Sequence, residues 1–183
     1  INGNDLTNER VVRRQLFTRP GYLFSQSDFE RSIREIASMG QFDPEAIMGE
    51  GGYSILPNPQ NNTVDLVYNV TEKPSSQLEL SGGWGGNTFV ATVGVSFNNF
   101  STRRLFEKGA WRPVPLGDAQ NLSLRFQTNG TYYTSLSASF SEPWLFGKKP
   151  TSLNISLYYT RQTNSYIYYN ILNNDEFMEV YGF

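Results

Sequence analysis

The sequence contains no histidine and no cysteine, which removes most of the side chains that covalent chemistry needs. Disulfides, Cys/His zinc sites and His-dependent triads are all ruled out. No paired carboxylates, nucleophile elbow or metal-ligand spacing stands out. We therefore expect no enzyme, no metal site and no cofactor. What remains is noncovalent, and the stretch Val64–Gly86, VDLVYNVTEKPSSQLELSGGWGG, carries it. In it Leu78, Leu80 and Trp84 alternate with Gln77, Glu79 and Ser81, and Gly82-Gly83 is set before the tryptophan. Gln77, Leu78, Glu79, Leu80, Ser81, Gly82, Gly83 and Trp84 form the candidate site: a strand with two unlike faces and weak glycine positions.

The elements around that strand divide at Lys73-Pro74, since proline fixes φ and removes a backbone donor. Before it the chain reads as a small α+β domain, residues 1–74. After it, residues 75–183 read as strands. Composition agrees with the second part. Charged residues are 17% and aromatic residues 15%, with 13 Phe and 11 Tyr, although mean hydropathy is only −0.45. Few charges, many polar residues and many aromatics suit a transmembrane β-barrel, with its polar lumen and apolar lipid face. A soluble β-sandwich with a polar surface is the alternative. A net charge of −2 gives no basic signal for nucleic acid. No apolar run approaches the roughly 20 residues of a transmembrane helix. With no signal peptide at Ile1–Asn4, the chain is expected to be an internal fragment.

In the first part, Ile1–Asp5 reads as the tail of a strand. Thr7 is the expected N-cap of a helix to Phe17, with Val12 and Leu16 on its inner face. Arg10, Arg13 and Arg14 fall on the other side and are expected to be solvated. Ser27-Asp28-Phe29-Glu30 has the form of a capping box for a second helix, Ser27–Met39, with Phe29, Ile33, Ile36 and Ala37 at helical spacing and Gly40 beyond its end. Two strands follow. Tyr53–Leu56 is expected to stop at Pro57, and Val64–Glu72 alternates clearly after a turn at Asn61-Asn62. Asp43–Gly52 reads as a Gly- and acid-rich insertion.

In the second part, strands are expected at about Ser76–Gly85, Phe89–Asn98, Gln120–Asn129, Tyr132–Ser141 and Thr151–Gln162, lengths that suit the ~9–11 residues of a tilted membrane strand. Phe89, Ala91, Val93, Val95, Leu122, Leu124, Phe126, Leu136, Leu153, Ile155 and Leu157 share the apolar phase. Glu79, Arg125 and Ser137 fall on the polar one. A lipid-facing Arg at mid-depth would cost about 2–4 kcal/mol, and a soluble sheet would carry more charges on its wet face, so this phase favours the barrel. The turns at Gly85–Thr88 and Asn129-Gly130 are tight. The basic link Asn99–Ala119 is long; a docking surface and a tolerated insertion are equally open readings of it. Residues Asn164–Phe183 read as an outer loop or the start of a sixth strand.

The words GN-D-L-T-N-E-R-V-V-R-R-Q-L, S-Q-S-D-F-E-R-S, M-G-Q-F and N-T-V-D-L-V-Y-N-V-T-E-K-P, in this order and spacing, resemble a POTRA domain. S-E-P-W-L-F-G-K, from Ser141 to Lys148, resembles a turn of BamA-like barrels. Together they resemble the last POTRA domain and first barrel strands of the BamA-type outer-membrane protein assembly factors. The resemblance implies an α+β POTRA domain followed by antiparallel transmembrane β-barrel strands, an incomplete fragment of a barrel of roughly 16 strands. It implies the outer membrane of a Gram-negative bacterium, with the POTRA domain in the periplasm. Trp84, Trp144 and Phe146 would lie at the membrane interface. The implied function is assembly and insertion of other barrels, Gln77–Trp84 being the seam where an incoming strand pairs by β-augmentation. The implied partners are unfolded outer-membrane protein clients, accessory lipoproteins of the BAM complex and outer-membrane lipids. A POTRA-containing secretion pore and a soluble carbohydrate-binding domain are the rival functions.

Overall fold

The structure is a computed structural model that describes residues 1–85, 88–111, 113–130, 132–147 and 149–163. Three helices precede the strands: α1 (Glu9–Arg13), α2 (Gln26–Ser38) and α3 (Pro44–Met48). The strands are β1 (Tyr53–Asn58), β2 (Thr63–Tyr68), β3 (Ser76–Gly85), β4 (Thr88–Phe100), β5 (Gln120–Thr128), β6 (Tyr133–Glu142) and β7 (Leu153–Gln162). They form a two-stranded sheet, β1-β2, and a five-stranded sheet in the order β3-β4-β5-β6-β7. The chain divides into two units: residues 1–77, 97–122 and 140–154 in one, and 78–96, 123–139 and 155 onward in the other.

The first unit is organised on α2. Its apolar residues Phe29, Ile33, Ile36 and Ala37 recur at helical spacing, so they share one face. That face packs with Val12, Phe42, Ile47, Tyr68 and Val70. Phe29, 1% exposed, stands edge-on to Tyr53 at a ring separation of 5.2 Å and tilted against Tyr68 at 5.7 Å. The expected burial of Val12, Phe29, Ile33, Ile36 and Val70 is found. Leu16 and Leu66 are only partly buried, at the margin of this cluster.

The helix limits differ from expectation for identifiable reasons. The backbone N–H groups of Leu6 and Thr7 donate to the Glu72 carboxylate, at 2.8 and 2.6 Å, and the Thr7 hydroxyl accepts a bond from Asn99. Tertiary bonds thus occupy Thr7, and α1 starts only at Glu9. It also ends early, because the Phe17 N–H donates to the buried Ser32 hydroxyl at 2.9 Å instead of continuing the helix. For α2 the cap is Ser25 and not Ser27; its hydroxyl accepts from the Asp28 N–H at 3.3 Å. Asp43–Gly52 is no loose insertion. Asp43 caps α3 by accepting from the Glu45 N–H at 3.0 Å, Pro44 occupies the first turn and Ile47 is buried, a start signal that the sequence did contain.

The hairpin also differs in detail. β1 runs through Pro57, which lies opposite Val64; a two-stranded sheet has only edges, and there proline removes no needed bond. β2 stops at Tyr68, and Asn69 and Glu72 continue it as single bridges to Asn2 and Phe42.

The second unit holds the upper parts of β3–β7, and its two faces separate chemically. On one face the Arg125 guanidinium donates to Glu79 at 2.8 Å, Ser123 bonds Ser139 at 2.7 Å, and Ser135 bonds Thr160 at 3.2 Å. The opposite parity carries Leu78, Leu80, Trp84, Phe89, Val93, Leu124, Phe126, Leu136, Ile155 and Leu157, all exposed. Leu124 is 43% exposed, and among the described residues the sheets are β1-β2 and β3–β7. Among the described residues the apolar side chains of that face, Leu124 included, are therefore not packed as the core of a sandwich would be. The turn at Gly86-Asn87 and the reading of residues 164–183 lie outside the described residues.

Candidate functional site

Gln77, Leu78, Glu79, Leu80, Ser81, Gly82, Gly83 and Trp84 all lie in β3, an edge strand of the five-stranded sheet. One side of its ladder pairs with β4; among the described residues its other side has no strand partner. The strand therefore presents a row of free N–H and C=O groups. Leu78, Leu80 and Trp84 are exposed on the apolar face, Trp84 at 77%. The two glycines differ. A Cβ on Gly82 would lie 3.0 Å from the Phe89 ring, whereas a Cβ on Gly83 would meet nothing within 4 Å. Phe89 thus covers Gly82, the aromatic cover that supports glycine in strands. On the polar face, a Cβ on Gly94 would come within 3.1 Å of the Glu79 carboxylate. The missing side chain on β4 lets Glu79 of β3 reach Arg125 of β5 over it.

A second constellation, which the sequence reading left open, is in the first unit. Asp118, in the link between β4 and β5, is 6% exposed in its side chain. Its carboxylate accepts from Asn8 Nδ2 at 2.9 Å, from Ser101 Oγ at 2.7 Å and from the Arg10 guanidinium. Burial by itself would raise its pKa, but the hydrogen bonds from Ser101, Arg10 and Asn8 outweigh it and hold the carboxyl below its ordinary value. Around it, Asn99 Nδ2 donates to Thr7 Oγ1 at 2.8 Å while Asn99 Oδ1 accepts from the Ala119 N–H at 2.9 Å. The Asn8 N–H donates to the Gly117 carbonyl at 2.9 Å and the Gly117 N–H to the Asn99 carbonyl at 2.7 Å. The link is thus held against the N-terminal segment of the same chain, through Thr7, Asn8 and Arg10. Arg14 is accordingly not on a solvated face but half-buried, whereas Arg10, 46% exposed beside Asp118, and Arg13, paired with Glu9, keep the solvated positions expected of them.

Trp144 lies in the β6–β7 turn, partly buried, with the Arg14 guanidinium 5.0 Å above its ring. Phe146 is 72% exposed two residues on. The Glu142 carboxylate accepts from the Trp144 N–H at 2.8 Å and from Gln120 Nε2 at 2.5 Å. Burial lowers the pKa of Arg14, against the attraction of Glu142 and Asp118, and the guanidinium remains charged at any physiological pH.

Comparison with known proteins assigns these parts. Residues 1–73 match the POTRA family, described as a surface antigen variable number repeat. Residues 115–177 match the Omp85 superfamily domain. BamA, an outer membrane protein assembly factor, of Neorickettsia risticii (strain Illinois) is 32% identical over 77% of this chain and 18% of its own length. The BamA of Neisseria meningitidis serogroup B is 28% identical over 86% of this chain and 17% of its own. The chloroplastic outer envelope protein 80 of Arabidopsis thaliana is 27% identical over 90% of this chain and 20% of its own. The chain is of the BamA type, a POTRA domain followed by an Omp85 domain. It spans only 17% to 20% of the length of these relatives. In these terms Arg10 and Asn8 belong to the POTRA match and Asp118 to the Omp85 match. The Asp118 bonds therefore join the two family segments of a BamA-type chain, while β3 and β4 lie between the matches.

Proposed function

We propose that this BamA-type chain serves in the assembly and insertion of β-barrel proteins in the outer membrane of a Gram-negative bacterium. In this reading the POTRA domain, ending near Pro74, lies in the periplasm, and β3–β7 are the first strands of a barrel that further sequence completes. The β3 edge carries the reading. A strand edge facing hydrocarbon leaves N–H and C=O groups unsatisfied at several kcal/mol each, so it must pair with something. In the resting barrel that partner is the last strand. During assembly it is the edge of an unfolded client, joined by main-chain bonds that ask little of the client's sequence. Gly82 and Gly83 keep the seam weak enough to exchange. Trp84, Trp144 and Phe146 meet the membrane interface, where barrels carry girdles of aromatic side chains. Accessory lipoproteins of the BAM complex and outer-membrane lipids complete the set of partners, and no step is covalent.

The test is a reversible lock. Cysteines are placed on β3 and on the last strand of the full-length protein, and assembly of a model barrel is followed with the pair oxidised and reduced. Oxidation is expected to stop assembly and reduction to restore it. An oxidised seam that assembles clients at the reduced rate would rule out the gate, and would favour a pore that passes proteins through a closed wall.

A further inference from the structure

The first unit contains a cavity of about 500 Å³ whose walls include Arg10, Arg14, Arg103, Asp118, Glu142 and Trp144. Three cations thus face two carboxylates, and the carboxylates are already engaged. Asp118 takes Arg10, Asn8 and Ser101; Glu142 takes Gln120 and the Trp144 N–H. Among the described residues Arg14 and Arg103 form no ion pair. One terminal N–H of Arg14 donates to the Asp118 carbonyl at 3.4 Å, and its buried Nε has no hydrogen-bond partner. Two guanidinium groups without an ion pair in one concavity have the chemistry to hold a tetrahedral oxyanion. The rim adds a second feature. Leu145 and Phe146 also line this cavity and are exposed, so an apolar surface begins where the charged one ends.

We propose that this cavity binds the phosphate group of an amphiphile, with Arg14 and Arg103 on the phosphate and the tail lying across Leu145 and Phe146. Burial lowers the Arg14 pKa, the attraction of Glu142 and Asp118 works against it, and Arg10 and Arg103 add a smaller like-charge repulsion, which a bound anion would relieve. Such a site would hold the α1–link–turn assembly against a lipid headgroup, and it is independent of whether β3 opens for clients.

The experiment uses the full-length protein in neutral detergent, with Trp84→Phe and Trp111→Phe so that Trp144 dominates the fluorescence signal among the described tryptophans. Phosphatidic acid, the matching diacylglycerol without phosphate, and inorganic phosphate are titrated separately. Phosphatidic acid is expected to change Trp144 emission saturably, inorganic phosphate to bind more weakly, and diacylglycerol to have no effect. Arg103→Gln, at an exposed position that leaves the fold intact, is expected to weaken phosphatidic acid binding about tenfold. Arg14→Lys, which keeps the charge and loses the fork, is expected to weaken it too. Equal affinity for inorganic phosphate and phosphatidic acid would overturn the lipid assignment. Unchanged binding in Arg103→Gln would overturn the site.

Discussion

Asp118→Ala is the perturbation that tests the junction most directly. Three donors converge on this carboxylate. Ser101 is fully buried, and leaving its hydroxyl unpartnered costs about 1–3 kcal/mol. Arg10 is 46% exposed, so it regains water and adds only about 0–1 kcal/mol. With a share from half-buried Asn8, the total is about 2–4 kcal/mol of local stability. Asp118→Asn keeps the shape and one acceptor and should cost about half as much. The assay is amide hydrogen exchange at Asn8, whose N–H bonds Gly117 across the junction, and at Gly117, whose N–H bonds Asn99 directly beneath it. Their protection should fall by a factor of roughly 30 to 1,000, since each 1.4 kcal/mol is tenfold. The Val70 N–H, bonded to Asn2 within the POTRA domain, should keep its protection. Unchanged exchange at Asn8 and Gly117, or an equal fall at Val70, would refute the local latch. The same carboxylate sets a pH dependence. Its folded pKa is depressed, so its contribution is full above the ordinary value of 3.8 and is lost as pH falls below that through the folded pKa. Junction amides should therefore deprotect in acid in the wild type and show no such step in Asp118→Asn.

Three further outcomes follow from the packing. Phe29→Ala empties the centre of the POTRA core and should destabilise that domain by about 3–5 kcal/mol in denaturant unfolding, whereas Phe106→Ala, in the exposed part of the link, should be within about 0.5 kcal/mol of wild type. Gly117→Ala should cost about 1–3 kcal/mol, because φ is +132° and the new Cβ would sit 3.0 Å from the Leu6 carbonyl; loss of Asn8 protection reports it. At the seam, Gly83→Val should strengthen strand pairing by about 0.5–1 kcal/mol, read as slower disulfide-free opening by exchange. Gly82→Val should gain less, since it must push the Phe89 ring aside.

The strands of the second half were legible because their information is local. A period of two names each strand and its faces; the mid-strand charges Glu79 and Arg125 fall on the polar phase, while Glu142 and Arg161 sit at strand ends, and the limits read from sequence for β3 match, with β5, β6 and β7 within a residue or two. The POTRA core was legible for the same reason, since Phe29, Ile33 and Ile36 recur on one helical face. Short elements were less so. α3 has a clear Asp-Pro start but only five residues, too few for periodicity to speak, and the capping-box pattern at Ser27 pointed two residues past the cap that α2 uses, Ser25. What the sequence could not determine is every bond whose partners lie far apart. Thr7 looks like a cap until Glu72 and Asn99 take its groups. Arg14 looks solvated until Trp144 covers it from 130 positions away in the chain, and nothing near Arg10 names Asp118 as its partner. A charged side chain carries no label for its partner, since attraction between opposite charges is unspecific until the backbone sets distance and burial. The sequence therefore determined the parts and their faces, and the tertiary structure alone decided that the long link docks on α1.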